Sequence, residues 1–147
     1  MKKLGTVKEI FSATVDSSGL PRPTVEHLEL AEGYGIKGDK FAGDDLDKTV
    51  MIVGQNSYDI ANDNGIDLKY GSYGENILLS FDPHELEVGT VLHIEDSAIE
   101  ITQRCTICDH LSVFGRQLPR LIKKHRGVYC KVLKSGTITK ESKVSCE

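Results

Sequence analysis

Short β-forming runs separated by turn residues recur along this chain, and they constrain its fold more than any other feature. The runs are "GTVKEIFSA" (5–13), "VEHLEL" (25–30), "TVMIVG" (49–54), "ENILLS" (75–80), "VLHIED" (91–96), "AIEIT" (98–102) and "GVYCKVLKSGTITKESKV" (127–144). The 14 glycines supply many of the turns between them. "TVMIVG" is an unbroken apolar run of β-formers, which is typical of a buried strand.

The spacing of these runs indicates how they connect. Residues 91–102 predict a hairpin across "EDS", and residues 127–144 predict a second hairpin that turns at Ser135 and Gly136. Helices are expected at 55–65, where Tyr58 and Ala61 share a face and Asn64-Gly65 can cap the end, and at "RQLPRLIKKH" (116–125). The pattern predicts a mostly β, antiparallel, barrel-like fold in one domain over residues 1–147.

Charge and hydropathy exclude several classes of function. Lysine and arginine total 18 against 22 acidic residues, a formal charge of −4, so the chain as a whole lacks the electrostatic footprint of a nucleic-acid-binding protein. No run approaches the roughly 18 apolar residues of a membrane span, and "MKKLGTVKEIF" does not resemble a signal peptide. We therefore expect a cytoplasmic protein whose cysteines are reduced thiols. Basic residues gather at 115–127, either as a patch for an anionic ligand or partner or as a solvated helix face.

Two glycine-containing stretches carry polar residues in unusual places. "GYGIKGDKFAG" (33–43) echoes a dinucleotide motif, but it lacks the βαβ context, so a tight turn with Asp39 bonding its own backbone competes with a ligand loop. In "YGSYGENILL" (70–79), Glu75 and Asn76 enter an apolar strand, where each needs a hydrogen-bond partner. We expect this pair to pin a neighbouring loop such as "KGDK", which functionally would place that loop at the rim of a ligand cleft.

Cys105 and Cys108 form a Cys-x-x-Cys step in "QRCTICDHL" (103–111). A closed zinc site needs four ligands, and only this pair has the short spacing. A thioredoxin-like pair begins a helix in a βαβ unit, whereas this pair follows a predicted hairpin. A single reactive thiol assisted by Arg104 fits the pattern, and so do two cysteines that pack as small apolar groups. The residues alone leave these alternatives open.

The three constellations, in this order and over essentially the whole chain, resemble the MOSC domain. This family is named for the C-terminal part of molybdenum-cofactor sulfurases and also includes small stand-alone bacterial proteins. The resemblance is carried by "GIKGDKFAG", "YGSYGENILL", "LEVGTVLHIEDSAIEITQRCTIC" and "RGVYCKVLKSGTI". The chain departs from the family pattern at Lys40-Phe41, where a histidine often follows the Gly-Asp, at Lys48, where an arginine is expected, and at Glu141-Ser142, where Gly-Asp is usual.

The resemblance implies a β-rich barrel and a set of site residues. Cys108 best fits the family thiol because "CDHL" matches its context, and Cys105, one register earlier, is the alternative. Arg104 would stabilise the anionic sulfur. The remaining cofactor-binding positions that it implies are Gly38, Asp39, Gly74, Glu75 and Asn76.

The resemblance also implies a role in sulfur or molybdenum chemistry. A pyridoxal-phosphate-dependent cysteine desulfurase would load Cys108 with a persulfide sulfur for a metal–sulfur acceptor, with no pyridoxal phosphate bound to this chain. Alternatively, Cys108 would ligate the metal of a molybdenum cofactor in a reductase of N-hydroxylated compounds, or the chain would be a non-catalytic binding module. Sulfur transferase and oxidoreductase thus both remain open, the partner being a desulfurase or a molybdenum-cofactor enzyme. The sequence does not give the oligomeric state.

Overall fold

A computed structural model describes residues 1–14, 16, 19–106 and 109–147, and most of its regular structure is β-strand. The strands are β1 (Lys2–Ile10), β2 (Leu28–Ala31), β3 (Gly35–Ile36), β4 (Val50–Gly54), β5 (Ile77–Leu79), β6 (Val91–Ile94), β7 (Ser97–Arg104), β8 (Val128–Lys134), β9 (Gly136–Ile138) and β10 (Lys143–Cys146). The α-helices are α1 (Gln55–Asp63) and α2 (Leu118–Leu121), and single 3₁₀ turns span Leu46–Lys48, Pro83–Glu85 and Asp109–Val113.

Seven of these strands close into a barrel in the order β1-β10-β6-β7-β8-β4-β5, with β5 pairing back to β1. The pairs are antiparallel except β4 with β5, which α1 connects as a crossover. Strands β3, β2 and β9 form a separate small sheet. The predicted mostly β, barrel-like fold is confirmed.

Strand β4 is buried along its whole length because both of its faces are covered. Val50 and Ile52 belong to the core inside the barrel, whereas Met51 and Val53 belong to a second core under the helices. This two-sided burial explains the unbroken apolar run in the sequence, since neither set of alternating side chains meets water.

Helix α1 follows directly from β4 and lies over the outer face of the barrel. Tyr58 and Ala61 are buried in the second core, as their spacing predicts. Asn64 ends the helix and Gly65 has φ +79°, the left-handed conformation expected of a glycine cap. This helix is confirmed, whereas α2 covers only four residues of the predicted 116–125 segment.

The first predicted hairpin is confirmed and the second is wrong. Strands β6 and β7 pair directly, with Ile94 opposite Ser97. At Ser135-Gly136 the chain changes sheets instead of folding back, so β9 pairs with β2 and β10 pairs with β1 and β6. The Ser135 hydroxyl accepts a hydrogen bond from the Glu32 amide, and Gly136 lies so close to Ser97 that a Cβ atom would clash. These contacts direct the chain after β8 towards β2.

No helix within the described ranges has the length and apolar character needed to cross a bilayer.

Candidate functional site

A cavity of about 550 Å³ opens beside β4 and β8, and four cationic side chains line it. Its volume lies within the usual range for small-molecule sites. The cations are Arg22, Lys40, Lys48 and Arg126, and the carboxylates of Asp44 and Asp45 also reach the lining. We call this the basic cavity, because its lining has more positive than negative side chains.

Arg22 is one of the four cations of the basic cavity, and one of its guanidinium nitrogens has an unmet hydrogen bond. Its side chain is only 9% exposed, and its Nη1 lies 3.5 Å from Asp39 Oδ1 without forming a hydrogen bond to a described residue. Burial lowers the pKa of its guanidinium, and the Asp39 and Glu75 carboxyls oppose that effect. A buried guanidinium nitrogen without a hydrogen bond costs free energy that an anionic ligand would recover.

Arg126 is 4% exposed and holds one wall of the same cavity. Its Nη1 donates a hydrogen bond to the Tyr73 carbonyl and lies 3.9 Å from Met51 Sδ. The next residue, Gly127, has φ +148° and lies where a Cβ atom would overlap the Met51 side chain. The backbone conformation that presents Arg126 therefore depends on a glycine at 127.

Asn76 ties three segments together next to the basic cavity. Its Oδ1 accepts a hydrogen bond from the Met51 amide at 3.0 Å, and its Nδ2 donates to Phe11 O at 3.2 Å and to Asp39 Oδ1 at 3.4 Å. Asp39 also accepts hydrogen bonds from the hydroxyl of Ser12 and, within its own turn, from the amide of Phe41. The expected pinning of the "KGDK" loop by Asn76 is therefore seen.

Glu75 is completely buried, and its side-chain hydrogen bond among the described residues is with Tyr58 rather than with that loop. Tyr58 donates a 2.6 Å hydrogen bond to Glu75 Oε2 and accepts one of 2.8 Å from the Gly71 amide. Burial raises the pKa of the Glu75 carboxyl, although the Tyr58 hydroxyl and Arg126 oppose this shift. It also raises the pKa of Tyr58. Glu75 thus supports the glycine turn at 71–74 and does not line the basic cavity.

Tyr129 links the basic cavity to the cysteine segment. Its ring lies under Lys48, whose Nζ is 5.7 Å from the ring centroid, and its oxygen accepts a hydrogen bond of 3.5 Å from the Cys105 thiol. Burial is the main cause that raises the pKa of Tyr129 to about 12, so the phenol keeps its proton at neutral pH. Cys105 is 5% exposed.

A second cavity of about 600 Å³ lies beyond Cys105, and Arg104, Cys105, Lys123, Lys124 and His125 line it together with the acidic Asp82 and Glu85. We call it the second cavity. Arg104 donates a 2.6 Å hydrogen bond to the His84 carbonyl, which holds it at this cavity. Among the cavities described, Arg104 therefore faces the second and not the basic one.

Asp82, His84 and His125 in the second cavity bring possible metal ligands within 4.8 Å of one another. However, both ring nitrogens of His84 already have partners: Nδ1 faces Asp82 Oδ1 at 2.9 Å, and Nε2 accepts the Gly127 amide at 3.1 Å. An accepting Nε2 requires the proton on Nδ1, which is then unable to bind a metal. These hydrogen bonds therefore favour a neutral, structural His84 over a metal ligand.

The sequence-predicted site residues are only partly brought together. Gly74 and Asn76 line the basic cavity, and Asp39 and Glu75 are buried behind it. Gly38 lines a different pocket of about 270 Å³. The thiol favoured by sequence, Cys108, lies outside the described residues.

Most residues of the basic cavity were not among the predicted site residues, and these include Arg22, Lys40, Arg126 and Tyr129. Arg22 lies between two prolines in "PRP", which restrict the backbone. Arg126 precedes a glycine in "HRG", which allows the backbone more conformations. That local signal marks a turn but does not indicate a ligand. The convergence arises only from tertiary folding.

Comparison with known proteins identifies a family. The family model for the MOSC domain matches residues 33–145. Among solved structures, the YuaD protein from Bacillus subtilis is 18% identical, with 97% of this chain and 96% of that chain covered at a TM-score of 0.74. YiiM from Escherichia coli is 15% identical, with 97% and 69% covered at 0.72, and YiiM from Geobacillus stearothermophilus is 16% identical, with 99% and 74% covered at 0.69. At these identities the likeness shows the fold alone. The comparison with curated proteins gives no match.

Proposed function

Because the chain belongs to the MOSC domain family, we propose that it is a molybdenum-cofactor-binding and sulfur-carrying module. The basic cavity receives the anionic, phosphate-bearing ligand, and Cys108 carries sulfur as a persulfide for a metal–sulfur acceptor. The observation that carries this proposal is the buried Arg22 guanidinium, which lines a cavity rich in cations and has a nitrogen without a hydrogen bond.

The residues present fit a phosphorylated cofactor. Arg22 and Arg126 can each offer planar N–H groups to phosphate oxygens, and Lys40 and Lys48 add point charges to the same cavity. Tyr129, protonated at neutral pH, can donate a hydrogen bond to the ligand because its oxygen already accepts from Cys105. When bound, the cofactor would supply a redox-active molybdenum centre; the side chains would bind, orient and neutralise its anionic groups.

The cysteine segment supports Cys108 over Cys105 as the sulfur carrier. The Cys105 thiol is buried and donates a hydrogen bond to the Tyr129 oxygen, so it is held as a packed group. A carrier must instead meet the persulfide of a donor protein. In this assignment the two cysteines have different roles, Cys105 structural and Cys108 reactive.

Sulfur transfer to Cys108 needs no external oxidant. The Cys108 thiolate attacks the terminal sulfur of the persulfide on a cysteine desulfurase, and its proton goes to solvent. A new S–S bond forms at Cys108 while the donor's S–S bond breaks, so the desulfurase cysteine leaves as a thiolate. The sulfane sulfur changes carrier, and the oxidation states balance.

Intact-protein mass spectrometry tests the carrier role. We expect wild type and Cys105→Ser to gain one reducible sulfur after incubation with a cysteine desulfurase and cysteine, and Cys108→Ser to gain none. Omitting cysteine is the control. No added sulfur on any variant, or a gain that is lost only in Cys105→Ser, would contradict the proposal.

Isothermal titration with inorganic pyrophosphate tests the basic cavity separately. Lys48→Met removes an exposed charge at the cavity while preserving the length of the side chain. We expect pyrophosphate to bind this variant about 3- to 10-fold more weakly, because one charge-assisted contact is lost. Lys134→Met, an exposed lysine away from this lining, serves as the matched control. Equal affinity for both variants would contradict an anion site in this cavity.

A further inference from the structure

The second cavity has an excess of positive charge that the fold does not neutralise. Asp82 is engaged by His84 at 2.9 Å and lies 3.7 Å from His125 Nδ1. The lining therefore holds three cations, Arg104, Lys123 and Lys124, against the two carboxylates of Asp82 and Glu85. Within the described part of the chain, neither Lys123 nor Lys124 forms an ion pair, and both are exposed.

The charge extends beyond the cavity along the chain. No aspartate or glutamate occurs between Asp109 and Glu141, whereas eight lysines and arginines do, in a protein whose formal charge is −4. Lys131 and Lys140 of this stretch are paired with Glu100 and Glu9. The exposed lysines and arginines of this stretch that lack an ion pair among described residues are Arg116, Arg120, Lys123, Lys124 and Lys134. Four exposed basic residues therefore occur within 116–124 of a protein that is acidic overall.

The cavity also lies beside the cysteine segment. Cys105 and Thr106 are part of its lining, and Thr106 precedes Cys108 by two residues in the sequence. A partner that occupies the second cavity therefore contacts the chain within two residues of the proposed sulfur carrier. The basic cavity is linked to this segment by the hydrogen bond between Cys105 and Tyr129.

We infer that the second cavity, with the exposed basic residues at 116–124, forms the docking site for an acidic segment of the protein that donates sulfur. This inference rests on the proposed carrier role of Cys108. The donor's carboxylates meet Arg104, Lys123 and Lys124, and its persulfide is thereby brought to the cysteine segment.

A protein segment fits these residues better than a small anion does. Lys123 and Lys124 are exposed and long, so ordering them costs conformational entropy. The contacts of a single small anion with exposed lysines are too weak to offset that cost. Val113, in the same basic stretch, is 80% exposed and offers apolar contact that an inorganic anion cannot use. The small-anion function belongs instead to the basic cavity, where the arginines are buried and preorganised.

The test compares two double charge reversals that change the net charge equally. Lys123→Glu with Lys124→Glu alters the proposed docking site, and Lys2→Glu with Lys3→Glu alters two exposed lysines on β1. The rate at which Cys108 gains sulfur is measured by mass spectrometry with a cysteine desulfurase plus cysteine, and in parallel with sodium polysulfide, a small donor that needs no docking. Thermal unfolding verifies that each variant is folded.

We expect the docking variant to be loaded by the desulfurase about 10-fold or more slowly, and the β1 variant to be loaded at the wild-type rate. The difference should shrink as sodium chloride screens the charges. Loading by polysulfide should be equal in all three proteins. Inhibition of desulfurase loading by a polyglutamate peptide, but not by inorganic phosphate at matched ionic strength, would further support docking.

Four outcomes overturn the inference. Equal desulfurase rates for both variants would show that these lysines do not dock the donor, and equal slowing by both would show an effect of net charge alone. Inhibition by phosphate as strong as by the peptide would identify a small-anion site. If neither donor loads even the wild type, the carrier role itself fails and the docking inference fails with it; polysulfide loading without a docking effect removes the docking inference alone.

Discussion

Glu75 is a carboxyl group that the fold removes from water entirely. Its Oε2 accepts a hydrogen bond from Tyr58, but its Oε1 has no hydrogen-bond partner among the described residues. Burial raises the pKa of the carboxyl above 4.5, so the folded protein keeps this proton to a higher pH than the unfolded chain does. A neutral acid is also the form that could hydrogen-bond from its second oxygen.

The titration of Glu75 makes a prediction about stability against pH. Between pH 4.5 and the raised pKa, the folded state binds more protons than the unfolded state, so the free energy of unfolding falls as pH rises through this window and is greatest below it. Glu75→Gln keeps the shape without the charge. Relative to wild type, we expect its free energy of unfolding to increase with pH by up to about 1.4 kcal/mol per pH unit.

Urea unfolding of wild type and Glu75→Gln from pH 4 to pH 8 measures that difference. Glu29→Gln, on an exposed residue of β2, is the control and should follow the wild-type curve. Parallel curves for wild type and Glu75→Gln would mean that the carboxyl titrates alike in the folded and unfolded states.

The backbone segment that immediately precedes β8 connects the two cavities. Arg126 and Gly127 precede this strand, the Gly127 carbonyl accepts the Cys105 amide, and the Gly127 amide donates to His84 Nε2. One backbone segment thus positions an arginine of the basic cavity and a cysteine that lines the second one. His84, on the 3₁₀ turn Pro83–Glu85, holds this segment as long as its Nε2 is unprotonated.

Lowering the pH should weaken that contact. Burial lowers the pKa of His84 below 6.5, despite the opposing effect of Asp82, so the unfolded state binds the proton more readily than the folded state. The stabilisation is complete above pH 6.5 and is lost as pH falls towards the folded pKa. We expect the free energy of unfolding to fall by up to about 1.4 kcal/mol per pH unit in this window, and His84→Gln to remove that dependence.

Thermal unfolding between pH 5 and pH 8 provides the measurement, with His27→Gln, an exposed histidine, as the control. The control should keep the wild-type slope. If the stability of His84→Gln changed with pH as steeply as that of wild type, the pH dependence would come from other groups.

For the whole molecule, what could be predicted from the sequence depends on how local the determining forces are. The burial of β4 and the cap of α1 follow from hydropathy period and a glycine, and both were predicted. The path after β8 was not, because Ser135-Gly136 signals a turn equally well for a hairpin and for a change of sheet. The basic cavity also escaped prediction, since Arg22 and Arg126 converge from positions about a hundred residues apart.

Closure of the barrel depends on its last strand. β10 lies between β1 and β6 and pairs with both, and its Val144 and Cys146 side chains belong to the core inside the barrel. Without it, two neighbouring strands would each expose an unpaired edge, and unpaired edges associate with other chains. Burial of Val144 alone is worth about 1.5–3 kcal/mol.

Truncation after Ser142 should therefore both destabilise the protein and make it associate. We expect the free energy of unfolding to fall by at least about 3 kcal/mol, from the lost apolar burial and strand pairing, and size-exclusion chromatography to show larger species. Truncation after Cys146 removes only the exposed Glu147, whose ion pair with His93 lies at the surface, and should change little. A truncation after Ser142 that stays as stable and as small as this control would mean that β10 is not needed to close the barrel.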